Sequence, residues 1–205
     1  FGDSYTDLTF SGAGEWQLDA ALSVGNNLDL SAGALTSAGN DIGVTTAFTN
    51  TGTLRLEGNE TVSLNLGVSP VPGLVEYYGN GGTISGLSAG GSYTDLAFVD
   101  NTAGPLGGGT AFDLNGTLEV DTSLDISAGY SLDLNGQDLD LTGLGTFTNT
   151  GTLRAEGGET VTNAAGLGAP VPGLVEYDGG ANYTTGLIFG DSYTDLTFSG
   201  AGEWQ

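Results

Sequence analysis

The chain has 205 residues, of which 25 are acidic and only two, Arg55 and Arg154, are basic, for a net charge of −23. That balance excludes nucleic acid, whose affinity comes from cations that neutralise phosphates, and it excludes anionic membrane surfaces. With no Cys, His or Met, disulfides, thiolate metal sites and cysteine or histidine catalysis are excluded as well.

The 38 glycines show no triplet period, so the chain is not collagen-like, and its apolar residues recur too regularly for disorder. No apolar run approaches the ~18 residues that a membrane span needs.

The first segment, Phe1–Gln17, returns without one change as Phe189–Gln205, 188 positions later. Its core appears a third time as Ser92–Phe98. Such self-similarity decides the fold before anything else is read. It predicts a tandem array of 188-residue units, of which these residues are a window. Phe-Gly-Asp-Ser-Tyr-Thr-Asp also resembles the first block of the GDSL (SGNH) esterases, with Ser4 or Ser192 as nucleophile. A serine of that kind needs a general base, normally histidine. The chain has none, and the central copy reads Gly90-Gly91-Ser92, without the aspartate. The segment is therefore read as the start of a repeat.

Residues 4–91 and 92–191 are two versions of one module, and 192–205 together with 1–3 begin the next copy. Thr49-Asn50-Thr51-Gly52-Thr53-Leu54-Arg55 matches Thr148-Asn149-Thr150-Gly151-Thr152-Leu153-Arg154, and Pro70–Tyr77 matches Pro170–Tyr177. The second module is longer in three places, most of all where Asp100–Gly109 replaces Ser11–Glu15. Insertions confined to loops while the rest keeps register are typical of stacked repeats.

Between these landmarks the apolar period is two. Leu22-x-Val24 and Leu28-x-Leu30 match Leu118-x-Val120 and Leu124-x-Ile126, and Leu132-x-Leu134 and Leu139-x-Leu141 extend the pattern. Short alternating runs broken by Gly, Asn, Asp and Ser predict half-buried strands and tight turns. No segment carries a helical stripe. The fold class predicted is all-β: a right-handed parallel β-solenoid (β-helix) of tandem repeats, with tandem β-sandwich modules as the alternative. Coils of about 20–24 residues would give eight or nine per unit and an advance of about 40 Å. Thr49–Leu54 and Thr148–Leu153 are then expected four or five coils apart on the same face.

Phe147-Thr148-Asn149-Thr150-Gly151-Thr152-Leu153, and the run at 22–33, resemble coils of large bacterial surface proteins, the filamentous-haemagglutinin and autotransporter-type adhesins. The resemblance implies secretion, a β-helix shaft and display at a cell surface. It carries over no catalytic residue.

Arg55 and Arg154 occupy equivalent positions. They are expected to pair with carboxylates of a neighbouring coil, such as Glu57 or Glu60 and their counterparts Glu156 and Glu159; the rival reading is an anchor for an anionic sugar. Asp29, Asp125, Asp133 and Asp140 alternate with core positions and should face outward. There they form a solvated acidic face or stacked carboxylates able to hold Ca²⁺, the one cofactor the sequence suggests. Tyr5, Tyr93 and Tyr193 share a register, as do Phe10, Phe98 and Phe198. They are expected to stack within the solenoid, a sugar platform being the rival.

Three glycosylation triplets, at Asn59, Asn115 and Asn182, are expected by chance in a chain of this composition. Enzymatic activity is not expected, because catalysis needs one special environment and every conspicuous acidic motif here is repeated. The function expected is an extracellular fibre or adhesin shaft that stacks on neighbouring copies, without nucleic acid or membrane insertion. The alternative is a repetitive glycan- or partner-binding module. The loop at 99–111 separates the two: a mere edge cover favours the shaft, an aromatic groove favours binding.

Overall fold

The computed structural model describes residues 3–65, 69–100, 109–184 and 186–204. Among them every strand pairing is parallel, and the helical structure is one short 3₁₀ turn, Ala164–Leu167. Immunoglobulin-like sandwiches are antiparallel, so the architecture is a β-solenoid.

The first coils show how the alternating sequence builds it. Asp3–Tyr5, Leu8–Phe10 and Glu15–Gln17 form three sides of one turn. Leu22–Val24, Asn27–Leu30 and Ala34–Thr36 stack on them in register, and Ile42–Val44, Ala47–Asn50 and Thr53–Leu56 follow. Along each strand the period-two apolar residue points inward: Leu22, Val24, Leu28, Leu30, Leu54 and Leu56 are all buried. Stacking places like on like, and the buried apolar residues form one continuous core. Each such side chain contributes on the order of 1.5–3 kcal/mol by leaving water.

The Thr-Asn-Thr-Gly-Thr corners have a direct physical cause. Asn50 is buried; its Nδ2 donates to the Leu74 carbonyl at 3.3 Å and its Oδ1 accepts from the Gly52 amide at 2.9 Å. Asn149 likewise reaches the Pro172 carbonyl at 3.0 Å. A side chain at Gly52 would stand 2.5 Å from the Gly33 carbonyl oxygen, and one at Gly151 2.4 Å from that of Tyr130. Backbone passes too close at this corner for any residue with a Cβ.

Two ladders span the modules. The first runs Trp16, Leu35, Leu54, Val75, Leu96, Leu124, Phe147. The second runs Ile84, Phe112, Leu132, Leu153, Val175, Leu196. Their membership reveals a shift. Leu8 stacks with Leu28 and Phe48, on the side before Trp16, yet its equivalent Leu96 stacks on Leu54 and Val75, in the Trp16 ladder itself. An extra strand at the end of each module causes this. Thr83–Ser85 follows Val71–Tyr77 and occupies one side before the next module begins, and Asn182–Tyr183 does the same after Val171–Tyr177. Each module is therefore turned by one side relative to the one before.

The shift corrects the expectation that Thr49–Leu54 and Thr148–Leu153 share a face. Thr49 pairs with Asp29, whereas Thr148 lies in the column Arg55, Glu76, Ala97, Asp125, Thr148, four rungs along a different side. The spacing expected is right and the face is not.

Rungs also give the advance. Six separate Trp16 from Phe147; the chain then steps one side to Leu153 and climbs two more to Leu196. Leu8 lies one side before Trp16, so the equivalent Leu8 and Leu196 are eight turns and two of three sides apart. At ~4.8 Å per rung this is about 42 Å.

Candidate functional site

The outward side chains form columns along the rod, and both arginines sit in such columns. Arg55 Nε meets Glu76 Oε2 at 2.6 Å on the next rung, and its Nη1 meets Glu15 Oε1 at 3.1 Å. Thr36, between them in the stack, donates to the same Glu15 oxygen at 3.0 Å. Burial works against the Arg55 charge, but Glu76 and Glu15 outweigh it and hold the guanidinium above its ordinary pKa. Arg154 Nε meets Glu176 Oε2 at 2.7 Å, in the column Ser85, Asp113, Asp133, Arg154, Glu176, Thr197. The Arg154 hydrogen bond draws Glu176 below the usual carboxylate range. Asp113 is pushed up, by burial first and by Asp133 beside it second.

Inter-coil ion pairs thus form, but with other partners than expected. Glu57, Glu60, Glu156 and Glu159 lie past the strand, at the following corner, and two of them do different work. Glu60 is 5% exposed and accepts from Ser37 Oγ at 3.0 Å and the Gly58 amide at 2.7 Å. Glu159, 6% exposed, accepts from the amides of Glu156 at 2.7 Å and Gly157 at 2.6 Å. Burial pushes Glu60 above the usual range, and the amides and Ser37 pull it part of the way back. Sequence reasoning missed both residues as buried corner caps. The available signal was Glu two residues after a Gly, as Gly58-x-Glu60 and Gly157-x-Glu159, repeated in both modules.

The four aspartates are not brought together. Asp29 lies on the Leu8 side and accepts from Thr49 Oγ1 at 2.8 Å. Asp125 stands between Ala97 and Thr148, and Asp133 between Asp113 and Arg154. Asp140 pairs with Glu119 and caps Thr142. Among the described residues no group of three or more acidic side chains is placed to hold a metal ion. Asp125, Asp133 and Asp140 fall on three successive sides of the second module, and the one-side turn separates Asp29 from its equivalent Asp125.

The tyrosines divide. Tyr93 is fully buried and its hydroxyl lies 3.0 Å from that of Tyr77; Tyr193 is half-buried, 3.1 Å from Tyr177. Tyr5 is exposed. Phe98 packs between Tyr77 and Phe112 in the core, while Phe198, its equivalent, is 46% exposed. Most of the loop at 99–111 lies outside the described residues.

An open recess of about 480 Å³ sits at the first module junction, its lining including Gly58, Asn59, Glu60, Asn80, Ile84 and Asn115.

Fold and columns together define a three-sided parallel β-solenoid with an acidic, ion-paired surface. No protein-family model, curated protein or solved structure matches the chain.

Proposed function

We propose that the chain is a structural repeat forming the shaft of an extracellular bacterial fibre or adhesin, stacking on neighbouring copies of itself into a filament. The observation that supports this most is the recurrence of one identical segment after eight turns and two sides of a single solenoid. A unit that repeats by a fixed screw along its own axis lengthens a rod without changing its cross-section. Parallel inter-coil hydrogen bonding, continuous over a nine-stranded sheet that runs through both modules, makes such a rod stiff. Residues 1–188 carry the two arginines and 22 of the acidic residues, three falling in the repeated segment. This charge keeps shafts soluble and apart.

Immunogold labelling of intact source cells with antibody raised against residues 4–191 tests the reading. Label on fibres outside the envelope is expected. Label confined to the cytoplasm contradicts it.

A further inference from the structure

We propose that the recess at the first module junction is a binding site for a neutral sugar. The two junctions share their scaffold and differ in the side chains they place on it. At the second, the Trp204 ring stacks on Tyr183 at 4.4 Å, and a side chain at Gly157 would meet that indole at 2.4 Å. At the first, Ile84 and Phe112 take the ladder positions of Tyr183 and Trp204. Asn59 and Asn80 stand where the second module has Gly158 and Gly180. The first junction thus places Phe112 and Ile84 over Gly58 in place of the stacked Trp204 and Tyr183, and adds two amides.

The lining chemistry selects the ligand. Asn59, Asn80, Thr83, Ser85 and Asn115 are exposed around the recess. Their amides and hydroxyls both donate and accept hydrogen bonds, as sugar hydroxyls do. Glu60 at its base holds one hydrogen bond on each oxygen and keeps lone pairs for a ligand hydroxyl. Ile84 and Leu87 supply an apolar patch for the C–H face of a pyranose ring. No Lys or Arg lines the recess, and the chain carries −23, so anionic sugars are repelled. A hard divalent cation, which takes six to eight oxygens with several carboxylates among them, meets one carboxylate here. The volume, about 480 Å³, falls inside the roughly 300–1,000 Å³ range of small-molecule sites.

Saturation-transfer NMR on this chain decides the matter, using glucose, galactose, mannose and N-acetylglucosamine, with glucuronate and CaCl₂ as charged comparators. At least one neutral sugar is expected to bind and glucuronate is not. Paired replacement Asn80→Ala with Asn115→Ala should weaken binding about tenfold or more through lost hydrogen bonds, with the circular-dichroism spectrum unchanged. Should that pair disturb folding, Thr83→Ala with Ser85→Ala probes the same rim. The proposal is overturned if no neutral sugar shows transfer, if glucuronate or Ca²⁺ binds instead, or if sugar binding survives the rim substitutions at full strength. The shaft reading does not depend on the outcome.

Discussion

The hydroxyls of Tyr77 and Tyr93 lie 3.0 Å apart in the buried interior, joining the last long strand of one module to the first strand of the next. The bond belongs to a chain of donors: the Ala89 amide donates to Tyr77 at 2.9 Å, and Tyr93 donates to the Gly90 carbonyl at 2.6 Å. Tyr177 and Tyr193 repeat it with the Phe189 amide and the Gly190 carbonyl. This relay pins the segment in which the extra strand turns the solenoid by one side.

Tyr77→Phe removes the middle of the relay and leaves the Ala89 amide without its acceptor. An unsatisfied buried donor costs about 1–3 kcal/mol, so urea unfolding should show a loss of that size. Tyr77→Phe combined with Tyr93→Phe should lose less than the sum of the single changes, because both act on one network.

The same pair predicts alkaline sensitivity. Burial pushes Tyr77 from 10.0 up to about 12, and Tyr93 is also raised well above its ordinary value, by burial and by Tyr77. Folding therefore favours the neutral phenols. The stability they contribute is fully present below about pH 10 and is lost as pH rises through 12 and beyond. Melting temperature should fall steeply above pH 10, with the buried phenols ionising in step with unfolding, so that the absorbance step at unfolding is smaller in Tyr77→Phe.

Arg154→Gln leaves Asp113, Asp133 and Glu176 in one column without a cation. The pair is about one-third exposed on the arginine side, 35%, so solvent screening limits the loss to roughly 1 kcal/mol. Glu176 has its pKa lowered by Arg154, so the pair's stability is present above the ordinary carboxylate range and is lost as pH falls through the lowered value. The difference between wild type and variant should shrink at low pH and at high salt. A difference indifferent to both would argue for a packing effect.

Gly52→Ala places a methyl group 2.5 Å from a carbonyl oxygen of the coil before it. The backbone must shift, and a loss above about 2 kcal/mol is expected. Gly116→Ala, at an exposed corner where nothing lies within 4 Å, should be far milder. Similar thermal losses for the two would contradict the close-stacked corner.

Much of this was legible in the sequence. Leu22-x-Val24 and Leu28-x-Leu30 announced strands because inward and outward residues alternate, and the matched blocks gave the module boundaries. The partner of Arg55 was not legible, since a rung here is 19 to 21 residues long and a slip of that order exchanges Glu76 for Glu57. The turn of one side was hidden too. Thr83-Ile84-Ser85 looks like any other short strand, and nothing local says that it adds a side instead of completing a coil. Glu60 escaped because a buried carboxylate is recognised by the amides converging on it, which only the corner geometry brings together.

Cryo-electron microscopy of proteins carrying one, two and four copies of the 188-residue unit tests the central claim most directly. The account predicts one unbroken rod that lengthens by about 42 Å per unit, with each unit turned by two of three sides so that every third unit regains its orientation. Closed units joined by flexible linkers, or a rod whose successive units keep the same face, would contradict it.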